Sequence, residues 1–312
     1  MRRMIIWHSV SRKILSISHR NDRLLSGISV ALVKELRERS GAPIVECKNA
    51  LAKSCGDTDT AMEWLRKQGA AKALSKLSNR DANEGLVGAM VSGRRAAIVQ
   101  VTSETDFAGR SEEFSGLVEH ITFAALESKP SGELIGKDFL SVAVKGKTVR
   151  EALDNAILSI RENLRITSAL KCVVDDGLWI RYVHGRVTDV AGSAAAIVHV
   201  TGDASDEILE EVGKKLAMHV VAARPVYLDI DSVPEEEVVK ETDFLREQLM
   251  EASKKKTPEI LEKIIAGKMR KYFENICLTE QAHMTLEGNP KVKEALKGDG
   301  IKVTHFELKA LH

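Results

Sequence analysis

A short segment with two carboxylates and an aromatic ring, Ser103-Glu104-Thr105-Asp106-Phe107, follows the apolar run Ala96-Ala97-Ile98-Val99-Gln100-Val101-Thr102. Turns favour Gly, Pro, Asn, Asp or Ser, so a large ring is unusual at such a place. Phe107 therefore either folds back into the protein core or contacts a partner. In the second case the segment would act by binding, with an apolar ring and a negative charge side by side.

The rest of the sequence contains no recognisable catalytic constellation. The nine histidines include no H-E-x-x-H motif, and no Ser-His-Asp or paired-carboxylate arrangement can be argued. Cys47 has helical spacing with Ile44 and Leu51, which is typical of a small core residue, although an enzyme that uses Cys47 is an alternative. The cysteines form no C-x-x-C pair and have no histidine at metal spacing, so we predict no disulfide, no metal and no cofactor.

Two further motifs are weak. Gly146-Lys147-Thr148 ends like a phosphate-binding loop, but Ser141 stands where the first glycine must let the backbone curl around phosphates. A modest basic stretch is typical of a solvated face; it leaves RNA binding as an alternative, but no aromatic platform accompanies it. The stretch contains Lys67, Lys72, Lys76 and Arg80.

Length and composition indicate a globular protein. With 312 residues, 44% of them hydrophobic and 29% charged, the chain is long enough for roughly two domains. No apolar run approaches the ~18 residues of a membrane span, which argues against a membrane protein.

Residues 1–25 differ in composition from the rest of the chain. They carry six basic residues, several serines and one acid, Asp22. This composition is typical of a mitochondrial transit peptide, and a disordered basic tail is the alternative. Without this segment the totals of 46 basic and 45 acidic residues fall to 40 and 44, a balance of about −4, which argues against a protein that coats nucleic acid. The basic residues are Arg2, Arg3, Arg12, Lys13, Arg20 and Arg23.

The next part of the chain is punctuated as three short helices. Gly41 ends the first, and Pro43 suits the first turn of the second because its missing amide hydrogen would have no partner there. Gly56-Asp57 ends the second helix and caps the third, for which Gly69 is the predicted end. We therefore predict a three-helix domain at 26–70 and a polar, basic linker at 71–84.

After Gly85 the apolar pattern changes to that of a strand hairpin followed by a helix. The run Ala96–Thr102 matches Ala195–Thr201, 99 positions later, except that His199 stands in place of Gln100, and helix residues match at the same offset. We predict an α+β fold of two related antiparallel-sheet-plus-helix halves, with chance similarity of Ala/Val-rich strands as the alternative. The predicted halves are 85–171 and 172–312.

The second half serves as an internal control for the aromatic loop. It has Asp203-Ala204-Ser205-Asp206 where the first half has Glu104-Thr105-Asp106-Phe107. If the fold needed an aromatic ring here to fill its core, both halves would be expected to have one. The difference therefore favours a functional role for Phe107.

Three more elements are predicted from local patterns. Thr148 and Glu151 have capping-box spacing at the start of a helix between the halves. Residues 233–274 have the pattern of an antiparallel helical hairpin that turns at Lys254-Lys255-Lys256. The segment Ile301–Leu308 alternates like a final strand.

Long ordered motifs resemble the elongation factor Ts family, in its mitochondrial form. Two segments of this chain are similar to the N-terminal signature of that family: Val33-Lys34-Glu35-Leu36-Arg37-Glu38-Arg39-Ser40-Gly41-Ala42 and, after it, Glu46-Cys47-Lys48-Asn49-Ala50-Leu51. A third segment, Glu104-Thr105-Asp106-Phe107, is similar to the second signature of the family. The likeness runs from about residue 28 to the end of the chain.

The resemblance implies a ubiquitin-associated-like three-helix domain and a two-part α+β core with an inserted helical hairpin. It implies a guanine-nucleotide exchange factor that binds mitochondrial elongation factor Tu in the matrix and promotes GDP release, without covalent chemistry, direct nucleic-acid contact or a membrane. In the family, the Asp and Phe of the second signature press into the GTPase near its magnesium and phosphates. The implied partner-binding residues are Thr105, Asp106, Phe107, Lys34, Arg37, Ile44, Val45, Ile160 and His184.

Some positions depart from the family pattern. Ala108-Gly109 replaces the usual Val-Ala after the Phe, which would make the loop more flexible. Pro43-Ile44-Val45 stands where Gly and two methionines are common, and Arg161 replaces a usual Gly before Glu162-Asn163.

The alternative functions are an RNA-binding translation factor and an enzyme that uses Cys47.

Overall fold

A computed structural model describes residues 29–77, 80–134, 136–252, 258–298 and 300–311 of the chain. The predicted leader at 1–25 and the predicted turn at Lys254-Lys255-Lys256 lie outside these residues. The chain divides into two compact units, with the boundary between Asn79 and Arg80. Each unit is described by itself.

The first unit is built from three helices around a small apolar core. Helix α1 spans Val30–Ser40, α2 spans Ile44–Lys53 and α3 spans Thr58–Leu77. Cys47 is fully buried in this core, as the sequence predicts, where it packs with aliphatic side chains. The other buried members are Val33, Leu36, Ala50, Leu51, Ala61 and Leu65.

Local capping sets most helix ends of this unit. Gly41 ends α1 in the left-handed conformation, with φ of 67°, and the Asp57 carboxylate accepts a hydrogen bond from the Thr60 amide at 2.6 Å. Pro43 is the N-cap of α2 and not a residue of its first turn. The prediction that α3 ends at Gly69 is wrong, because the alanine-rich segment after Gly69 outweighs the cost of about 1 kcal/mol for one helical glycine.

The second unit contains two main antiparallel sheets. The first has the strand order β3-β6-β2-β1-β8 and the second the order β10-β9-β7. Strands β1 and β2 form the predicted hairpin, and a two-residue turn at Gly93-Arg94 joins them. The strands are β1 Glu84–Ser92, β2 Arg95–Ser103, β3 Gly132–Glu133, β4 Ala143–Val144, β5 Lys147–Thr148, β6 Arg165–Val173, β7 Leu178–His184, β8 Ala191–Gly192, β9 Ala194–Gly202 and β10 Ile301–Ala310.

Some helices of this unit pack on the sheets, and two pack on each other. The two helices of the predicted hairpin are present as α9 and α10, and they pack through Leu245, Leu249, Ile265 and Met269. The fold is thus a mixture of helices and antiparallel sheets. The helices of this unit are α4 Asp106–Gly109, α5 Glu112–Glu127, α6 Gly136–Leu140, α7 Val149–Ile160, α8 Asp206–Ala223, α9 Glu235–Ala252, α10 Pro258–Ile276 and α11 Val292–Gly298, with a 3-10 turn at Leu278–Glu280.

The two sheets pack face to face through small and branched side chains. Ile98 of β2 and Ile197 of β9 are fully buried in one cluster between the sheets, together with alanines of both strands. On the opposite faces, α8 covers the second sheet and α5 covers the first. Helix α5 lies so close that a Cβ on Gly88 of β1 would stand 2.9 Å from Val118. Strands β2 and β9 are therefore covered on both faces.

Two buried histidine rings lie side by side in the second unit, with their planes tilted by 34°. His219 and His283 lie with ring centroids 5.0 Å apart. Two contacts hold the His219 ring neutral: Nε2 donates to the side-chain oxygen Oε1 of Gln281 at 3.0 Å, and Nδ1 accepts from the Met284 backbone amide at 3.2 Å. Burial lowers the pKa of both rings, and that of His283 falls to about 4 with additional repulsion from His219 and Lys215.

We expect the protein to lose stability as the pH falls from about 6.5 to about 4. In that range the unfolded chain binds protons at these histidines that the folded chain does not bind, and His283 alone accounts for about 3 kcal/mol of unfolding free energy. Urea denaturation at a series of pH values measures this loss. The loss should be smaller in His283→Gln and unchanged in the control His305→Gln, which alters an exposed ring; equal losses in all three proteins would contradict the assignment.

Candidate functional site

The acidic-aromatic segment begins where β2 leaves the first sheet. Ser103 is the last residue of the strand, Thr105 has extended backbone angles, and Asp106–Gly109 form the single helical turn α4. The segment is thus a strand-to-helix connection with a structured turn, and Asp106 stands at the N-terminus of that turn, where a negative charge is favourable. Helix α5 follows, with Ser111 as its N-cap.

Phe107 points outward and is 76% exposed. The next two residues of the same turn face inward, since Ala108 is 5% exposed and Gly109 is buried. A Cβ on Gly109 would stand 3.4 Å from the Gly85 carbonyl, so the turn rests on the start of β1. Of the two alternatives for Phe107, the structure excludes folding back into the core.

Glu162 holds the segment from the side. One of its carboxylate oxygens accepts a hydrogen bond from the Thr105 amide at 3.0 Å, and the other accepts from the Thr105 hydroxyl at 2.7 Å. The two residues are 57 positions apart in the chain. The polar groups of Thr105 are therefore directed at Glu162.

Glu104 has a structural position, whereas Asp106 lies at the surface. The Glu104 side chain is only 18% exposed, accepts from the Asn163 amide at 2.7 Å and lies 3.4 Å from Arg80. Asp106 pairs with Arg110 at 3.0 Å in an exposed i,i+4 ion pair. Such surface pairs contribute about 0–1 kcal/mol, so the pair can open at little cost when the Asp106 carboxylate meets another cation.

Glu162 lies two residues after the C-terminal end of helix α7. The helix begins with the predicted capping box, because the Glu151 carboxylate accepts from the Thr148 amide at 2.9 Å while the Glu151 amide donates to the Thr148 hydroxyl at 3.1 Å. It ends at the half-buried Ile160, followed by Arg161 in the left-handed conformation with φ of 63°. The structure thus brings Thr105, which precedes Asp106 and Phe107, into contact with Glu162, two residues after Ile160.

The predicted residues of the first unit lie on its surface. Lys34 and Arg37 are exposed on α1, and Lys34 lies 4.0 Å from Glu38. Ile44 and Val45 open α2 with 49% and 68% of their surfaces exposed. This unit therefore presents two exposed aliphatic side chains and two bases on neighbouring helices.

His184 lies at the end of β7, in the second sheet, whereas Thr105, Asp106 and Phe107 follow a strand of the first sheet. The ring is exposed, and its Nδ1 lies 3.3 Å from the Tyr182 hydroxyl. The structure thus places His184 on a different element from the loop and from Ile160.

The other chemical candidates take structural positions. Gly146 lies in the turn between β4 and β5, Lys147 and Thr148 form β5, and Thr148 is also the N-cap of α7. Among the residues that the structure describes, no group of three or more His, Cys, Asp or Glu side chains is arranged to hold a metal ion. None of the described helices is both long and apolar enough to cross a membrane.

Sequence reasoning missed Glu162 and Glu104 as supports of the loop. Each carboxylate accepts from a backbone amide of the other segment, Glu162 from Thr105 and Glu104 from Asn163. No local spacing indicates a contact between segments this far apart, because the contact arises only where β2 pairs with β6 and the two segments face each other just beyond the pair Thr102 and Arg165. A covariation signal between the two segments could have shown it.

Comparison with known proteins gives the same family throughout. The family profile described as "Elongation factor TS" matches residues 104–311. The chain is 37% identical over 283 residues to "Elongation factor Ts" of Allorhizobium ampelinum, covering 89% of this chain and 90% of that protein. It is 36% identical over 288 residues to "Elongation factor Ts" of Gluconobacter oxydans, covering 91% of each, and 37% identical over 295 residues to that of Rhodopseudomonas palustris, covering 92% and 93%.

We expect Arg161→Gly to stabilise the protein by about 0.5–1 kcal/mol. Residue 161 has a left-handed backbone that costs an L-residue more than a glycine, although the greater freedom of glycine in the unfolded chain offsets part of the gain. Chemical denaturation of the two proteins measures the difference. Arg161→Ala is the control, since alanine has the same steric cost; a similar gain in both variants would show that the arginine side chain, and not the backbone angle, is responsible.

Proposed function

This chain belongs to the elongation factor Ts family, and we propose that it is the guanine-nucleotide exchange factor of mitochondrial elongation factor Tu. It is an exchange factor and not a catalyst of covalent chemistry. It would bind the GDP form of the GTPase and speed the release of GDP, so that GTP can bind during translation elongation. The observation that carries the proposal is the exposed pair Asp106 and Phe107 on a fixed turn. The start of β1 supports this turn, and Glu162 binds the residue that precedes it.

The physical basis of exchange is differential binding. A GTPase holds its nucleotide through phosphate contacts and Mg²⁺, and a partner that prefers the metal-free, distorted site weakens nucleotide binding by the difference in its affinity for the two states. Phe107 would insert between elements of the GTPase, and the Asp106 carboxylate would add negative charge near the metal and phosphates. By reciprocity the bound nucleotide weakens the exchange factor's hold to the same extent.

The remaining partner-binding residues follow from family likeness and exposure. We propose that Lys34, Arg37, Ile44 and Val45 form the contact surface of the first unit, whose exposed aliphatic pair would be buried by the partner. Ile160 and His184 would add contacts from the second unit. Thr105 takes a supporting role in this proposal, because Glu162 accepts from both its amide and its hydroxyl.

Two finer features of the architecture belong to the proposal. The first unit would have the ubiquitin-associated-like arrangement, which its three helices around one small apolar core support. The sheet-plus-helix halves would descend from a duplication, since β2 and β9 have bounds that differ by the same 99 positions as their sequences. The connections to the following helices differ, and only the first contains an outward-facing Phe.

The mitochondrial matrix is the proposed location. Its support is the composition of residues 1–25, which are basic and serine-containing with a single acid. The proposed partner is the elongation factor Tu of that compartment. We expect the protein to contact neither nucleic acid nor a membrane directly.

Removal of the Phe107 ring should reduce exchange activity strongly. Burial of a Phe side chain at an interface contributes about 1.5–3 kcal/mol, so we expect Phe107→Ala to slow GDP release about 10- to 100-fold, and Asp106→Ala to slow it as well. The measurement is stopped-flow release of fluorescently labelled GDP from mitochondrial elongation factor Tu at a fixed concentration of exchange factor. Thermal denaturation confirms that the variants fold.

Phe244→Ala is a matched control for this experiment. Thr242-Asp243-Phe244 repeats the same three residues on α9, where Phe244 is 58% exposed. We expect this variant to release GDP at the wild-type rate. If Phe107→Ala also retained the wild-type rate, the assignment of the loop would be wrong.

The leader can be tested independently of exchange. Residues 1–25 fused to a fluorescent protein should direct it to the mitochondrial matrix, because import depends on the positive charge of the segment. The same fusion with Arg2, Arg3, Arg12 and Arg20 changed to Gln should stay in the cytosol. A wild-type fusion that remains cytosolic would count against the proposed location.

A further inference from the structure

Two carboxylates hold the exchange loop in a reciprocal arrangement. The Thr105 amide donates to Glu162, and the Asn163 amide donates to Glu104. Adjacent residues of one segment are thus paired with adjacent residues of the other. We propose that Glu162 is a positioning residue for exchange, which holds Asp106 and Phe107 in the orientation that the GTPase recognises; this inference rests on the proposed function.

The turn that carries Phe107 needs such support. Helix α4 has four residues, and an isolated helix of this length is not stable in water. The Thr105 hydroxyl donates to Glu162 and is directed away from the start of the turn. Other hydrogen bonds close the ends of the segment: the Ser103 hydroxyl donates to the Thr105 carbonyl at 2.9 Å, and the Ser111 hydroxyl donates to the Ala108 carbonyl at 2.8 Å.

Glu162 is itself attached to a well-fixed element. Asn163 is only 3% exposed, and its side chain donates to the Arg80 carbonyl. On the other side, the capping box and the buried residues Leu153 and Ala156 fix α7. The carboxylate of Glu162 therefore extends from a rigid base toward Thr105, while Phe107 remains free to meet a partner.

Positioning has a defined kinetic consequence. If the loop adopts the competent orientation only a fraction of the time, the apparent affinity for the partner falls in proportion to that fraction. Once the complex is formed, the partner holds the loop in place, so the maximal rate of GDP release is preserved. Loss of Glu162 should therefore raise the half-saturating concentration of exchange factor and leave the maximal rate unchanged.

The test combines hydrogen–deuterium exchange of the free protein with titration of GDP release. In Glu162→Ala, the peptide that contains Thr105 should take up deuterium about tenfold faster, and the half-saturating concentration should rise about tenfold at an unchanged maximal rate. Glu162→Gln retains one acceptor, so we expect changes of about threefold in both measurements. Thermal denaturation should show midpoints close to that of wild type.

Glu113→Ala is the matched control. Its carboxylate accepts from the Ser159 hydroxyl at 2.8 Å, so it joins α5 to α7, the helix that precedes Glu162, but at another place than Thr105. Both measurements should remain at wild-type values in this variant. If Glu113→Ala changed them as much as Glu162→Ala, the effect would come from the helix packing, and the positioning role of Glu162 would be overturned.

A double variant tests whether Glu162 acts through Thr105. Thr105→Val removes the hydroxyl donor, so Thr105→Val with Glu162→Ala should raise the half-saturating concentration by less than the product of the two single effects. Multiplicative effects would overturn the proposal. So would a Glu162→Gln variant with wild-type deuterium uptake but slow GDP release, because the charge and not the position would then matter.

The same data separate the two levels of inference. If the wild-type protein does not accelerate GDP release, the proposed function fails, and with it the positioning role. If wild type accelerates release and Glu162→Ala has a wild-type half-saturating concentration, only the positioning role fails.

Discussion

The face-to-face packing of the two sheets is the constraint on which the second unit depends. Strand β2 is buried against the second sheet on one face and against α5 on the other, so its residues between Ala96 and Val101 are almost all small or aliphatic. Polar and aromatic groups that must meet a partner cannot stand within such a strand without a cost of burial. They can stand only where the strand leaves the sheet, which is the position of Glu104–Phe107.

This location gives the loop both a rigid base and an exposed tip. Ser103 ends a fully paired strand, Gly109 rests on the start of β1, and Glu162 accepts from Thr105 on the side. The equivalent connection of the second half leads to α8 through ordinary turn residues. The two halves therefore share a strand and a covering helix, and they differ in the segment that connects the strand to the helix.

Much of the architecture could be predicted because its signals are local. The end of α1 at Gly41 needs only a left-handed glycine, the start of α7 needs only Thr148 and Glu151, and the hairpin of β1 and β2 needs a two-residue turn between apolar strands. Prediction failed at Gly69, where a single helix breaker competes with a run of good helix formers. A breaker signals the end of a helix only if the residues around it do not favour continuation.

In the candidate site, too, features with a local signal could be predicted, and features that depend on tertiary contacts could not. Asp106 and Phe107 could be recognised from their types, their order after an apolar strand and the absence of an aromatic in the second half. Three features could not be recognised in this way. They are the outward orientation of Phe107, the burial of Glu104 beside an exposed Asp106, and the contact of Thr105 with Glu162. These features depend on the pairing of β2 with β6 and on how the turn rests on β1, and such tertiary contacts join residues 57 positions apart that have no local pattern in common.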